Sequence, residues 1–347
     1  MPARSRRKGT FPLNEEAWEA LKEAAEAVAY DLSDDTVYEL RLRLRTPAIF
    51  ALYKADIPTP GLPTLDGFLK FLAFRWAVDK AIRTRPELTN EVLWQWNVVL
   101  REPNRWIEFP IPIREEKLSD KVVLYDCSIG LPVNDGGEIL YPAGAFFFCA
   151  GNFVTYPSET DQIALRRRSV EPFYRPLELS GELKTSLGST KALDHRIYYA
   201  LTREYVFYFR GDRKGVEQLL DFAVQHDIGI GKKTTLGYGR LAEYSVMPTK
   251  QRATLGHRIE VPGLTQIALL KNVPYYEMQR RCMPAKSLFP SEKRREEFRK
   301  ENERLFGAPE LRLASPIEAF DCFRPPYWRR EGRTQVLRYG SLLIPRE

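Results

Sequence analysis

A glycine-rich run in the second half of the sequence restricts most strongly what this chain can fold into. The run is GIGKKTTLGYGR and occupies residues 229–240. It follows a predicted helix over residues 215–226, whose apolar positions recur at helical steps, and it precedes a predicted strand over residues 240–246. A Walker A loop needs a Gly-Lys-Ser/Thr ending that is absent here, and a dinucleotide fingerprint opens a helix instead of a strand. The sequence therefore argues against both kinds of nucleotide site.

The same run carries groups that suit contact with phosphates. Glycine permits positive φ angles and close backbone approach, so that amides, ammonium groups and hydroxyls can converge on one anion. A plain helix-to-strand turn is the alternative, although a turn needs fewer glycines and no paired lysines. We predict a contact with a nucleic-acid backbone at Gly229, Gly231, Lys232, Lys233, Thr234, Gly237 and Gly239.

The clearest predicted strand spans residues 37–45. Apolar and charged residues alternate in it, which places them on opposite faces of the strand. One face carries Leu40, Leu42 and Leu44, and the other carries Glu39, Arg41, Arg43 and Arg45. We predict that the leucines are buried, and that the outer face is basic and contributes its three arginines to the nucleic-acid surface.

Other patterns place most of the remaining elements. Asn14 and Thr64 are predicted N-caps. Helices are predicted from Asn14 to about Tyr30 and over residues 65–83, 90–100 and 291–306, the last ending at Gly307, with short strands over residues 107–155. Residues 156–195 are polar without a sustained period, and residues 248–257 are typical of a linker. We divide the chain into an N-terminal helical extension (1–36), a central domain with insertions (37–247) and a basic C-terminal extension (248–347).

The net charge of +7 is concentrated in three stretches. Residues 1–8 carry four positive charges and no acid, and residues 280–304 carry nine Lys or Arg against five Glu. Residues 324–338 add five Arg against one Glu, with aromatic residues interleaved. This asymmetry indicates a polyanionic partner, and nucleic acid is favoured over a membrane surface because no basic amphipathic helix with a strong apolar face accompanies it.

Several classes of protein are disfavoured by composition. No run of 18 apolar residues exists, and the basic N-terminus lacks an apolar region after it, so we expect neither a membrane span nor a signal peptide. The four cysteines and three histidines show no metal-ligand spacing. We therefore expect free thiols, no metal, no cofactor and a cytoplasmic location. His226 at a helix end is predicted to be structural, and His257 is predicted to be solvated.

The glycine-rich run, preceded by a strand and a helix, resembles the C-terminal glycine-rich loop of the RAMP superfamily of CRISPR-associated proteins. Three further features are similar to the subunit that caps the 5′ handle of CRISPR RNA, most of all in its type IV version. They are RTPAI at residues 45–49, LDGFL at residues 65–69 and YVFYFRGD at residues 205–212. The resemblance covers roughly residues 37–247, and the glycine-rich loop is its specific part.

The resemblance implies an α+β fold with a ferredoxin-like, RRM-related β-α-β-β-α-β core carrying insertions. It also implies a subunit that binds guide RNA, docks on the backbone-forming and large subunits of an effector complex, and has no catalytic task. On this view Lys232, Lys233 and Arg240 contact phosphates and Tyr238 stacks on a base. Contact with target DNA is left open.

Two alternatives stay open. Some handle-binding relatives cleave precursor RNA without metal, and His195, Tyr198 and Lys232 would supply that chemistry here. The other reading of His195 is a loop residue that hydrogen-bonds to RNA or backbone. A general structured-RNA-binding protein outside any CRISPR system is the remaining alternative.

Overall fold

The computed structural model describes the chain with gaps. The described residues are 14–48, 62–101, 109–120, 122–134, 136–139, 148–154, 194–200, 202–231, 234, 237–262, 264–321, 323 and 333–346. The helices are α1 (Glu15–Glu26), α2 (Leu65–Thr84), α3 (Thr89–Arg101), α4 (Arg213–Gln225), α5 (Tyr275–Arg281), α6 (Ala285–Leu288) and α7 (Glu292–Phe306). The strands before α4 are β1 (Tyr38–Leu44), β2 (Glu115–Ser119), β3 (Val122–Tyr125), β4 (Leu131–Pro132), β5 (Phe148–Val154), β6 (Asp194–Ala200) and β7 (Glu204–Phe209). Those after it are β8 (Leu241–Pro248), β9 (Gly256–Val261), β10 (Leu264–Leu269), β11 (Val273–Pro274), β12 (Leu311–Ser315), β13 (Glu318–Asp321), β14 (Thr334–Leu337) and β15 (Leu342–Pro345).

A four-stranded sheet organises the first half of the molecule. Its strands lie in the order β4-β7-β1-β8, and every neighbouring pair is antiparallel. Along the chain, β1, α2, β4, β7, α4 and β8 follow one another as β-α-β-β-α-β, with other elements inserted between them. The mixture of helices and antiparallel sheets confirms the predicted α+β class.

One face of this sheet is covered by α1, α2 and α4. Leu40 and Leu42 of β1 are fully buried, as their alternation with charged residues predicts. Trp18 of α1 packs edge-on against Phe109, with 5.7 Å between the ring centroids. Burial of such large apolar side chains is the main source of stability in a core of this kind. The N-terminal helix therefore belongs to the same hydrophobic core as the sheet.

The N-terminal helix is shorter than predicted. Asn14 is its N-cap, as expected, and its side chain accepts a hydrogen bond of 3.1 Å from the backbone N–H of Ala17. The helix ends at Glu26, however, four residues before Tyr30. After it the chain places the Tyr30 ring against Gly215 of α4, where a Cβ atom would lie 2.6 Å from the ring. Thr64 occupies the N-cap position of α2 but makes no capping bond with its side chain.

A second hydrophobic cluster lies in the C-terminal part. It combines the β2-β3 hairpin with the sheet β12-β15-β10-β9 and with α7, through residues such as Leu118, Ile267 and Phe306. Helix α7 ends at Gly307 with a φ of +91°, as predicted. The predicted linker over residues 248–257 is wrong in its second half, because Ala253, Thr254 and Leu255 are buried.

Buried ion pairs connect the two clusters. The guanidinium of Arg210, just after β7, lies 2.9 Å from the fully buried carboxylate of Asp126, and it also donates to the backbone carbonyls of Arg252 and Arg304. The ammonium of Lys271, after β10, lies 2.8 Å from the carboxylate of Asp66 in α2. Breaking such pairs leaves an uncompensated buried charge, so they couple the C-terminal part to the sheet.

Among the described residues, no helix has the length and apolar character needed to cross a membrane.

Candidate nucleic-acid interface

Three glycines give the loop between α4 and β8 its shape. Gly231, Gly237 and Gly239 have φ angles of 96°, 90° and 66°, which is the left-handed region that other residues adopt at a cost. These three positions of the loop therefore depend on the backbone freedom of glycine. This agrees with the prediction that glycines in this run serve backbone conformation.

The base of the loop is closed by its own backbone. The N–H of Ile230 donates a hydrogen bond of 2.8 Å to the carbonyl of Gly239, and Gly229 forms an isolated antiparallel bridge with Arg240. A Cβ on Gly239 would overlap the carbonyl oxygen of Ile230, and one on Gly229 would lie 2.7 Å from the oxygen of Tyr238. Both positions therefore require glycine for close approach.

The loop is docked on the residues that follow β1. The N–H of Gly239 donates to the carbonyl of Pro47 at 3.0 Å, and the Thr46 hydroxyl donates to the carbonyl of Gly237 at 2.7 Å. The same hydroxyl accepts from the N–H of Arg240 at 3.1 Å. Thr46 thus bridges the two glycine-containing turns, and the loop is held in one place at the end of β1.

Two arginines converge on one carboxylate beside the loop. The guanidinium of Arg240 lies 2.9 Å from the side chain of Asp227, and that of Arg45 lies 4.0 Å from it. The Arg45 side chain is 58% exposed, whereas that of Arg240 is 27% exposed. Two guanidinium groups share one carboxylate, so the cluster has a net positive charge. A phosphate can therefore compete with Asp227 for Arg45.

The outer face of the sheet does not have the predicted basic character. Arg41 is paired with Glu39 at 2.7 Å and with Glu204 at 3.0 Å, and Arg43 with Glu243 at 2.8 Å. The glutamates of β7 and β8 stand beside the arginines of β1 in the sheet. Because this face carries more carboxylates than guanidinium groups at these positions, it offers no net attraction for a polyanion.

The other predicted site residues are placed only in part. Thr234 and Tyr238 are half-buried. Lys232 and Lys233 lie outside the described residues. His195 and Tyr198 stand on β6, paired with Phe153 and Ala150 of β5, and the description covers their backbone. The predicted triad of His195, Tyr198 and Lys232 therefore stays untested.

The remaining histidines and cysteines were predicted with mixed success. His226 is the C-cap of α4, and its ring lies 4.3 Å from that of Phe222. His257 is not solvated as predicted, since it lies in β9 with Nδ1 3.3 Å from the Gln251 amide oxygen, and burial lowers its pKa to about 4. Cys127 and Cys282 are free and buried, and the described part of the chain contains no cluster of metal-ligating side chains.

Sequence reasoning missed Thr46, Pro47 and Asp227. Thr46 and Pro47 are interpreted from the sequence as the end of a strand and as part of the RTPAI motif, not as a dock for the loop, and Asp227 is given no role. Asp227 has a positive φ of 51°, which is uncommon for a residue with a side chain. A Thr-Pro pair after a strand has no local pattern that indicates a partner about 190 residues away.

Comparison with known proteins leaves the family open. No family model matches the chain, and no curated protein matches it. A solved structure that does match is described as a cryo-EM structure of the Type III-B Cmr-beta bound to cognate target RNA. The match has 12% sequence identity and a TM-score of 0.24, covering 67% of this chain and 66% of that one, just under two thirds of its length. A likeness at this level identifies no family.

Proposed function

We propose that this chain is a non-catalytic subunit that binds CRISPR RNA at its 5′ handle within a CRISPR effector ribonucleoprotein. The observation that carries the proposal is the docking of the glycine-rich loop on Thr46 and Pro47 after β1. It brings together residues of the GIGKKTTLGYGR and RTPAI motifs, which are two of the four features that carry the resemblance to a CRISPR-associated RNA-binding subunit. The resemblance to the type IV version rests on the sequence motifs alone.

The arrangement of the sheet supports a ferredoxin-like core. Such a core has two β-α-β units whose strands interleave in one antiparallel sheet. The order β4-β7-β1-β8, with α2 and α4 on one face, is consistent with that pattern. RRM domains bind RNA on the open face of this sheet. Here that face is partly covered, because Val206 and Tyr208 of β7 are buried in a third hydrophobic cluster. Its exposed charges are paired, so the proposed contact lies at the loop and at Arg45 instead.

The proposed contact is mainly to the RNA backbone. Lys232 and Lys233 contact phosphates, Arg45 and Arg240 exchange Asp227 for phosphate oxygens, and Tyr238 stacks on a base. The N–H groups of Gly237 and Gly239 already donate to the carbonyls of Thr234 and Pro47, so these two glycines shape the loop. The backbone-forming and large subunits of the complex are the proposed protein partners, and target DNA is a further proposed contact.

Replacing both loop lysines tests this assignment. We expect Lys232→Ala/Lys233→Ala to weaken binding of handle RNA and to reduce the slope of log K against log salt by about 1.4, or about 0.7 for each lost phosphate contact on a single strand. Fluorescence anisotropy at several salt concentrations measures both quantities. The pair Lys286→Ala/Lys293→Ala is the control, because it removes two exposed lysines from other helices. An unchanged slope in the loop variant contradicts the assignment.

The absence of catalysis is tested separately. We expect the purified protein to leave precursor repeat RNA intact in EDTA, because the proposal gives no residue a catalytic task. Gel analysis of labelled RNA is the measurement. Specific cleavage that is lost in His195→Ala would favour the metal-independent nuclease instead.

A further inference from the structure

A pocket of about 500 Å³ lies between the segment that follows β8 and the C-terminal end of α7. It is far from the glycine-rich loop, which adjoins the other end of β8. Side chains and backbone of both segments line it, among them Lys250, Arg252, His257, Arg258, Glu303 and Gly307. None of the sequence motifs predicted this pocket.

The segment that carries Lys250 and Arg252 is anchored to the core. The carbonyl of Arg252 accepts a hydrogen bond from the buried guanidinium of Arg210. Two residues later, the buried hydroxyl of Thr254 donates to the carboxylate of Asp126. Because its backbone is held at these points, the segment presents its cationic side chains from a fixed position.

The charge around the pocket is strongly one-sided. Lys250, Arg252 and Arg258 are exposed, and none of them forms an ion pair with the part of the chain that the structure describes. Arg258 donates only to the carbonyl of Gly307, at 3.2 Å. Glu303 is the acid among the lining residues, so three positive charges face one negative charge. Unpaired cations around a concave site favour an anionic occupant.

Gly256 and His257 of β9 form part of the wall of the pocket. A Cβ on Gly256 would overlap the carbonyl oxygen of Phe306, so β9 and the end of α7 meet at the closest distance that glycine allows. Because burial lowers the pKa of His257 to about 4, its ring is neutral at pH 7. The volume lies in the range of small-molecule sites and exceeds what a lone phosphate needs.

We propose that this pocket binds a nucleotide of single-stranded RNA, with the phosphate held by Lys250, Arg252 and Arg258. The choice of RNA as the polyanion rests on the proposed function. The pocket is a second RNA contact, separate from the loop that holds the handle. Its concave shape, with a volume of about 500 Å³, distinguishes it from a flat basic surface.

Salt-dependent binding of an oligouridylate of about ten nucleotides to the full chain tests the pocket. We expect Lys250→Ala/Arg252→Ala/Arg258→Ala to weaken binding about fivefold at about 0.1 M salt and to reduce the salt slope by about 0.7, which is the change for one lost phosphate contact on a single strand. The matched control Arg75→Ala/Lys214→Ala/Arg312→Ala removes the same charge from exposed positions on α2, α4 and β12, outside the basic stretches of the sequence. If both variants lose the same affinity for the oligouridylate, the effect is one of overall charge and the proposal is overturned. The proposal is also overturned if the pocket variant loses no affinity.

A measurement at His257 distinguishes RNA binding in the pocket from an effect of the substitutions elsewhere in the protein. The ring resonance of His257, identified by its disappearance in His257→Gln, is expected to shift when the RNA is added and to stay unshifted in the pocket variant. If circular dichroism shows that the triple variant is unfolded, Lys250→Ala/Arg252→Ala takes its place, with an expected slope reduction of at most about 0.7. An unshifted His257 resonance in the wild-type protein at saturating RNA overturns the proposal.

Failure of the pocket assignment can be distinguished from failure of the proposed handle recognition, because the two are tested with different RNAs. Handle recognition fails if the chain binds handle RNA no better than a scrambled RNA of equal length. The pocket assignment is tested with oligouridylate, which contains no handle sequence. It fails if the pocket variant binds oligouridylate no more weakly than the control variant does. Tighter binding of an oligothymidylate than of the oligouridylate would overturn the choice of RNA.

Discussion

Alanine at Gly239 is expected to remove most of the handle-RNA affinity while the protein stays folded. The substitution places a Cβ onto the carbonyl oxygen of Ile230 at a residue whose φ is 66°. The left-handed conformation costs about 1–2 kcal/mol for a residue with a side chain. The overlap with backbone cannot be relieved by a rotamer change, so the loop must leave its dock on Pro47. We expect the Kd for handle RNA to rise more than about tenfold, which corresponds to about 1.4 kcal/mol.

Gly237→Ala is the matched control for this experiment. Gly237 also has a positive φ, of 90°, but a Cβ there meets no atom of the described residues within 4 Å. The two variants therefore share the conformational cost and differ only in the overlap with Ile230. We expect the control to weaken RNA binding by less than about threefold, with the same anisotropy measurement. Equal effects of the two substitutions would contradict the role given to close approach.

Asp66→Ala is expected to cause a large loss of stability. Asp66 and Lys271 are both almost fully buried, and the ammonium of Lys271 also donates to the carbonyl of Tyr125 at 2.9 Å. Burial is the largest single influence and lowers the pKa of Lys271, but the charge interactions and hydrogen bonds with Asp66 and Cys127 together outweigh it, so the pKa is raised and the ammonium stays charged. Removing the carboxylate leaves that charge without compensation, at a cost of about 3–5 kcal/mol. Urea unfolding at pH 7 measures the change.

The double variant Asp66→Ala/Lys271→Met distinguishes the cost of an uncompensated charge on Lys271 from the cost of the packing contacts that Asp66 loses. An apolar pair of similar volume often replaces a buried ion pair at little cost. We therefore expect the second substitution to restore at least half of the free energy of unfolding that the first removes. A double variant that is less stable than Asp66→Ala would contradict this explanation.

The elements at the two ends of the central domain were predictable because their patterns are local. Alternation over residues 37–45 and helical steps over residues 215–226 each indicate an element without knowledge of its partners. The structure places β1 and α4 there, within a few residues of the predicted limits. The insertions carry no such regular pattern.

The surface charge of the sheet was not predictable in the same way. Arg41 and Arg43 appear unpaired in the sequence, because Glu204 and Glu243 are about 160 and 200 residues away along the chain. Only the register between β1, β7 and β8 reveals the pairing. The dock of the loop was missed for the same reason, since Thr46 meets Gly237 only in the folded chain.

The buried segment after β8 shows a different limit of sequence reasoning. Its polar composition is typical of a linker, yet Thr254 and the backbone of Arg252 satisfy buried charges from Asp126 and Arg210. Polar residues in a buried segment are stable when each has such a partner. Composition alone cannot distinguish this use of polar groups from exposure to solvent.

Strand β8 gives the two proposed RNA contacts a fixed separation. It begins directly after Arg240 and ends two residues before Lys250. Its eight residues span about 26 Å at the rise of an extended strand. The length of the strand therefore sets the distance between the two contacts. An RNA too short to cover this distance occupies one contact at a time. A longer RNA engages both contacts and gains avidity, because its second segment is held at a high effective concentration. Affinity should therefore rise in a step, rather than gradually, as the RNA is lengthened past that span.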